Sequence, residues 1–154
     1  MILIGIDPGI NNTGWSIVKK DGANLKYIAS GVIKTKQSNA LSSRLALISE
    51  KLQNIIDLYN PNIAGLEEIF VNKNPMSSMK LAHARGAILS VLGVKNIKVL
   101  EFSARTIKKN ITGTGTANKD QIIHMIKIVF GKQDIKSPDE ADALAVAYSA
   151  SLFN

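Results

Sequence analysis

The sequence predicts an α/β protein with a five-stranded mixed sheet and helices on both faces. Two observations lead to this prediction. Up to residue 35, three short apolar runs are separated by turn sequences, as in an antiparallel β-meander. Beyond residue 40, apolar residues recur every three or four positions, and these helical segments alternate with two further strand-like runs. At 154 residues the chain is predicted to form a single domain over residues 1–154.

The N-terminal part of the chain contains the three predicted strands of the meander. Residues 2–6 form a nearly continuous apolar run, which is typical of a buried strand. Residues 13–19 follow a turn that begins at Pro8, and residues 25–35 follow the turn signal Asp21-Gly22. Because the connections are short, the three strands are predicted to pair antiparallel.

A change of period after residue 40 marks the first predicted helix. Its apolar residues are spaced four and three apart, at Leu41, Leu45, Ile48, Leu52, Ile55 and Tyr59. This stripe places Arg44 outside the packed face, and Pro61 ends the helix. The remaining elements are predicted as strands at 63–69 and 98–102 and helices at 77–92, 119–130 and 139–152.

The charge pattern indicates a polyanionic partner. Nineteen Lys and Arg against twelve Asp and Glu give a net charge of +7 and a pI near 9.7. This excess favours nucleic acid over an acidic membrane surface. Residues 69–119 hold nine basic residues and one acid, Glu101. We therefore predict a nucleic-acid surface in this segment, with a solvated basic face as the alternative.

Residue content excludes several other chemistries. The chain has no cysteine, which rules out a disulfide scaffold, a thiolate metal site and a cysteine nucleophile. His83 and His124 match no zinc spacing, and the segment 113–119 departs from the phosphate-loop sequence. The longest later apolar stretch, 87–94, is far shorter than the about 20 residues of a membrane-spanning helix. With no basic leader at the N-terminus, we expect a cytoplasmic protein without membrane contact.

Acids at two strand ends and one helix start are the candidate catalytic residues. Asp7 directly follows the first strand, where open α/β sheets place their sites, although an ordinary Asp-Pro-Gly turn explains it equally well. Glu67 and Glu68 must point to opposite faces of a strand, and alternation alone does not choose between them. Asp139 and Asp142 share a helix face, where acids also stabilise an ordinary helix start.

Together these carboxylates predict a metal-dependent nuclease. Clustered carboxylates ionise reluctantly unless a cation is present. Oxygen ligands suit hard ions such as Mg²⁺ or Mn²⁺. Two such ions about 3.5–4 Å apart stabilise both the attacking and the leaving oxygen in phosphodiester hydrolysis.

Five short motifs, in this order, resemble the RuvC family of Holliday junction resolvases over nearly the whole chain. They are Ile4-Gly5-Ile6-Asp7-Pro8-Gly9, Thr13-Gly14, Leu66-Glu67-Glu68-Ile69-Phe70, Ala84-Arg85-Gly86 and Asp139-Glu140-Ala141-Asp142-Ala143-Leu144-Ala145. The resemblance implies a ribonuclease-H-like fold and a homodimer that binds a four-way DNA junction. Such an enzyme makes two symmetric cuts in homologous recombination and DNA repair. Coupling to a branch-migration motor is a further implication.

The resemblance also implies a role for each acid. Asp7, Glu67, Asp139 and Asp142 match the metal-binding carboxylates of the family, so the first Glu of the pair is the functional one. The implied cofactor is Mg²⁺, with two ions per active site and Mn²⁺ as a possible substitute. Our hypothesis is that Asp7 bridges the two ions and that Lys119 neutralises charge on the phosphate in the transition state.

Basic residues and one aromatic complete the predicted site. Lys108 and Lys119 match family residues that contact DNA near the cut, and Phe70 matches an aromatic that stacks at the opened junction. A core position is the alternative for Phe70. The set predicted to contact DNA is Phe70, Lys73, Lys80, Arg85, Lys108, Lys109 and Lys119. Trp15 stands where a tyrosine is common in the family, a departure that touches no predicted role.

The helix at 77–92 carries apolar residues on more than one face. We expect one side to pack on the sheet and the other to form a two-fold dimer contact, with burial inside the monomer as the alternative.

Three competing functions stay open: a nuclease for RNA or an RNA–DNA hybrid, a non-catalytic junction-binding protein, and one lobe of an actin-like ATPase. The last is disfavoured because the chain is too short for two lobes.

Overall fold

The computed structural model describes residues 1–69, 74–131 and 134–153, which form five strands and five helices. The strands are β1 (Ile2–Asp7), β2 (Asn12–Asp21), β3 (Asn24–Lys34), β4 (Ile63–Glu67) and β5 (Lys98–Phe102). The helices are α1 (Leu41–Tyr59), α2 (Pro75–Val94), α3 (Ala104–Thr112), α4 (Lys119–Phe130) and α5 (Pro138–Ser151). The predicted α/β class is confirmed.

The strands form one mixed sheet in the order β3-β2-β1-β4-β5. The meander of β1, β2 and β3 pairs antiparallel, as predicted, whereas β4 runs parallel to β1 and β5 runs parallel to β4. Ile6 of β1 pairs with Leu66 of β4, so the carboxyl ends of these two strands lie side by side. In an open α/β sheet this edge is where sites form.

Two hydrophobic clusters cover the two faces of the sheet. Leu3 of β1 packs with the helices α3, α4 and α5, in a cluster that includes Leu144. Its neighbour Ile4 points to the other face, where it packs with Ile48 of α1 and Ile88 of α2. This division follows from the two-residue repeat of a strand, and it gives each face its own helices.

Helix α5 packs directly against the backbone of the central strands. A Cβ atom on Gly5 of β1 would lie 2.2 Å from the carbonyl oxygen of Ala143. On β4, a Cβ atom on Gly65 would lie 3.0 Å from the carbonyl oxygen of Val146. The Ser16 hydroxyl of β2 also donates to the Ala143 carbonyl at 2.8 Å. Glycine on the strands and alanine on the helix therefore fix how closely α5 approaches the sheet.

Helix α1 packs with a different stripe from the one predicted. Its buried residues repeat every four positions, at Arg44, Ile48, Leu52 and Ile56, whereas Leu41 is 40% exposed. Arg44 is buried because its guanidinium donates to the Ile10 carbonyl at 3.0 Å and to Thr35 Oγ1 at 2.9 Å. The prediction that Arg44 lies outside the packed face is therefore wrong.

Helix α3 was not predicted from the sequence. It is short, and only Ile107 and Ile111 are buried from it. Ser103 caps its N-terminus by accepting from the amide of Thr106 at 3.1 Å. Over residues 1–69, 74–131 and 134–153, no helix has the length and apolar character needed to cross a membrane.

Candidate active site

Parallel pairing brings Asp7 and Glu67 together. Each is the last residue of its strand, one step beyond the Ile6–Leu66 pair. Both share the strand face of Leu3, which points toward α5. Glu68 is exposed and has the opposite parity, so Glu67 is the member of the pair that faces the same side as Asp7.

Helix α5 brings two further acids to the same edge of the sheet. Asp139 lies in its first turn, and Asp142 follows one turn later on the same helix face. The backbone of Asp139 passes over Gly14, where a Cβ atom would lie 2.2 Å from the Asp139 carbonyl oxygen. Because Gly14 pairs directly with Asp7, the start of α5 is held next to the end of β1.

The carboxylates lie within one another's electrostatic field. Burial, followed by the charges of Glu67, Asp142 and Asp139, raises the pKa of Asp7 to about 8, while Lys119 acts in the opposite direction. Burial is also the largest cause of the raised pKa of Glu67 and of Asp142. This edge of the sheet therefore holds a partly buried cluster of acids that interact with one another.

Two lysines face the carboxylates from neighbouring helices. Lys119 is the first residue of α4, and its Nζ lies 3.9 Å from Oδ2 of Asp142. Lys108 of α3 opposes the rise that burial causes in the pKa of Glu67 and of Asp142. These four residues line a cavity of about 230 Å³. The apolar part of its wall consists of Ala104, Ile107, Ile122 and Ala145.

The donor set suits a hard divalent cation, although no ion site is already assembled. Across the described residues, no group of three or more Asp, Glu or His side chains is arranged to hold a metal ion. The four acids nevertheless offer only oxygen donors, the type that Mg²⁺ prefers. Their mutual effect on pKa is the repulsion that a bound cation would offset. The chemistry of the residues therefore fits the ion.

The other residues predicted to contact DNA have different environments. Lys80 on α2 and Lys109 on α3 are exposed. Arg85 is only 9% exposed and its guanidinium is occupied by protein groups, so we leave it out of the DNA-contacting set. Phe70 and Lys73 lie outside the described residues.

Glu140 is a buried acid to which the sequence assigned no role. It is 3% exposed, accepts from the Ser30 hydroxyl of β3, and accepts from the Lys136 amide at 2.7 Å. These contacts fix the start of α5, and with it Asp139, relative to β3. No local pattern signals this role, because Ser30 is distant in sequence.

The sheet order and the helices packed on it define a ribonuclease-H-like fold, here with an acidic pocket at the strand ends. The family model for the crossover junction endodeoxyribonuclease RuvC matches residues 3–150. The chain belongs to the RuvC family, which confirms the resemblance inferred from the motifs.

Individual relatives agree with this assignment. The crossover junction endodeoxyribonuclease RuvC of Rickettsia massiliae is 50% identical over 150 residues, which cover 97% of this chain and 96% of the relative. That of Rickettsia bellii is 49% identical over the same shares of the two chains. Among solved structures, T. thermophilus RuvC in complex with a Holliday junction substrate superposes with a TM-score of 0.94. It is 25% identical, with 99% of this chain and 94% of that chain covered.

Proposed function

We propose that this chain cuts four-way DNA junctions by metal-dependent hydrolysis at the edge of the sheet where the ends of β1 and β4 meet the start of α5. Its family is that of the crossover junction endodeoxyribonucleases, hydrolases that act on DNA junctions in recombination and repair. The observation that carries the proposal is the convergence of acids from three separate elements beside Lys108 and Lys119. Clustered acids make folding less favourable, and neutral residues at the strand ends would avoid that cost. The presence of the acids therefore indicates a functional role.

We assign the acids Asp7, Glu67, Asp139 and Asp142 to two Mg²⁺ ions, which Mn²⁺ can replace. When bound, such ions supply a water of lowered pKa and stabilise the leaving 3′ oxygen. The two lysines attract the phosphate and offset its charge as the bond breaks. The apolar wall beneath them limits water to the open side of the pocket, which strengthens these charge interactions.

The decisive experiment measures cleavage of a synthetic mobile four-way junction with Mg²⁺. Asp7→Asn keeps the size of the side chain and removes its charge, so we expect cleavage to fall by more than about 100-fold. Junction affinity, measured without divalent metal, should stay within about two-fold of wild type. Asp57→Asn is the matched control, because Asp57 is exposed on α1 and pairs with Lys95. Near-wild-type cutting by Asp7→Asn would overturn the assignment.

The same assay separates the competing functions. Linear duplex and an RNA–DNA hybrid of equal length are offered beside the junction. Preferred cutting of the hybrid would favour a ribonuclease. Binding of the junction without cutting, in both Mg²⁺ and Mn²⁺, would favour a non-catalytic binder.

We propose that the DNA surface extends from the pocket over Lys80, Lys108, Lys109 and Lys119, and that Phe70 and Lys73 contribute to it. Lys80, Lys109 and Lys119 are exposed and Lys108 is half-exposed, so their ammonium groups can reach and neutralise phosphates. Junction affinity is then expected to fall steeply with salt, with a slope of about −0.9 per phosphate neutralised.

The proposed dimer uses the outer side of α2. Its inner side, which includes Ile88 and Leu92, is buried against the sheet, as predicted. The outer side exposes a continuous stripe: Met76, Met79, His83, Gly86, Ser90 and Val94. Met76 and Val94 are 63% and 76% exposed, so a second copy of the chain would bury substantial apolar surface there. Sedimentation equilibrium showing only monomer at micromolar concentration would contradict the dimer.

Two further parts of the proposal come from family membership. Membership of a family of crossover junction endodeoxyribonucleases implies that the substrate is cellular DNA, and on that ground we propose a cytoplasmic location. Association with a branch-migration motor is testable by adding such a motor to the junction assay and measuring whether cutting accelerates.

A further inference from the structure

The guanidinium of Arg85 is buried at the junction of α2, β4 and β5. Arg85 projects from the sheet-facing side of α2 and is 9% exposed. Its Nη1 donates to the carbonyl oxygen of Glu67, and its Nη2 forms an ion pair with the carboxylate of Glu101 on β5. One side chain therefore joins the helix to two neighbouring strands, immediately behind an acid of the proposed site.

The carbonyl of Glu67 needs a donor from outside the sheet. The amide of Glu68 donates to the Phe102 carbonyl of β5 at 2.8 Å, so by alternation the main-chain groups of Glu67 face β1. The next β1 residue in that ladder is Pro8, which has no N–H to donate. Because backbone carbonyls inside a protein require a partner, Arg85 completes a ladder that Pro8 interrupts.

We propose that Arg85 is a positioning residue for Glu67. By holding the Glu67 carbonyl, while Glu101 fixes the guanidinium, it sets the direction in which the Glu67 carboxylate leaves the strand. The inference rests on the proposed function, because it gives Arg85 a role toward one acid of that site. Helix α2 then has two roles: its outer side forms the proposed dimer surface, and Arg85 on its sheet-facing side positions Glu67.

Contact with DNA is the alternative role for Arg85, and Glu101 distinguishes the two. Glu101→Gln removes the charge that anchors the guanidinium, and the side chain is 42% exposed, so the fold should tolerate the change. If Arg85 positions Glu67, this variant cuts more slowly with unchanged junction affinity. If Arg85 contacts DNA, the same variant releases a positive charge and binds the junction more tightly.

The test compares wild type with Arg85→Met, Arg85→Lys and Glu101→Gln. Three quantities are measured: the single-turnover cleavage rate as a function of Mg²⁺, the junction Kd without divalent metal, and the rise in Tm produced by Mn²⁺ without DNA. Groups that orient metal ligands typically change metal affinity or activity by about 10–100-fold. We expect that loss for Arg85→Met, a smaller loss for Arg85→Lys and Glu101→Gln, and a smaller Mn²⁺-induced rise in Tm for all three. Junction Kd should stay within about two-fold of wild type.

Lys80→Met is the matched control on the same helix. Lys80 is exposed, so its loss should weaken junction binding and leave the Mn²⁺-induced rise in Tm unchanged. The inference is overturned if Arg85→Met loses junction affinity in proportion to cleavage, or if its cleavage and its response to Mn²⁺ equal those of wild type. Should Arg85→Met not fold, the Glu101→Gln comparison decides. Wild-type protein that fails to cut with either metal would overturn the proposed function instead.

Discussion

Two cavities on opposite faces of the sheet differ in size and in charge. The carboxylate pocket has a volume of about 230 Å³ and contains Glu67, Asp142, Lys108 and Lys119. The Trp15 groove is larger, about 450 Å³, and lies between the meander and α1. Its wall is mostly apolar, with Trp15, Val32, Ile55, Leu58 and Tyr59, and the described residues that line it include two lysines and no acid.

This difference shows that charge identifies the site better than volume does. Large apolar pockets are the usual first candidates for ligand binding. An apolar groove, however, can form wherever a helix leaves part of a sheet uncovered. Partly buried acids whose charges raise one another's pKa cost folding free energy, and this cost is a stronger sign of function.

The largest expected effect tests how the carboxylate side of the sheet is built. In Gly5→Ala the new Cβ would meet the Ala143 carbonyl oxygen at 2.2 Å and the Ala147 amide nitrogen at 2.5 Å, so α5 would have to move. Overpacking of this kind costs about 1–3 kcal/mol or more. We expect a lower urea midpoint, and a loss of cleavage larger than the fraction unfolded explains, because Asp139 and Asp142 move with α5.

Gly93→Ala is the control for this substitution. Nothing lies within 4 Å of a Cβ at Gly93, and alanine is the better helix former by about 1 kcal/mol. The control should match or exceed wild type in stability. Wild-type stability and cleavage in Gly5→Ala would show that close packing of α5 does not place the acids.

The sequence predicts most of the elements and the position of the acids, but not which side of each element is buried. The apolar periods identified the strands and four of the five helices, and the order of the acids along the chain identified the strand ends where they meet. Alternation could not choose between Glu67 and Glu68, because the choice depends on which face α5 covers. Helix α3 was missed because its nine residues bury only two isoleucines.

Buried charges are the residues that the sequence places least well. Arg44 and Arg85 interrupt or flank apolar stripes, so their sequence context indicates solvent or DNA. Each is buried because backbone carbonyls near the end of β1 or β4 require donors: Ile10 for Arg44 and Glu67 for Arg85. Such pairings join residues 18 or more positions apart, and a local pattern does not contain them.

A smaller effect is expected from the charge of Asp7 itself. Its pKa is raised from the ordinary 3.8 of an Asp in water to about 8 in the folded protein, so the folded state holds the proton more tightly. The resulting stabilisation is complete below pH 4 and is lost as pH rises through 8. In metal-free buffer, Asp7→Asn should therefore melt higher than wild type at pH 8, and the difference should shrink toward pH 4.

Each kcal/mol by which Asp7→Asn raises the free energy of unfolding corresponds to about 2–4 °C in Tm for a protein of this size. Adding Mg²⁺ should reduce the difference at pH 8, since a cation stabilises only the charged acid. Asp57→Asn is the control at an exposed position of α1, and it should not melt higher than wild type at pH 8. An Asp7→Asn curve parallel to wild type between pH 4 and pH 8 would contradict the electrostatic account of the pocket.

The smallest expected effect concerns the Trp15 groove. Leu58 is 71% exposed on its rim, so Leu58→Lys should change Tm by about 2 °C or less and leave junction cleavage at the wild-type rate. Trp15 is the only tryptophan in the chain, and its emission reports directly on the groove. Because the carboxylate pocket opens on the other face of the sheet, saturating junction DNA should leave the emission maximum of Trp15 unchanged. A blue shift of Trp15 emission, together with slower cutting by Leu58→Lys, would mean that DNA contacts both faces of the sheet and that the groove is part of the DNA-binding surface.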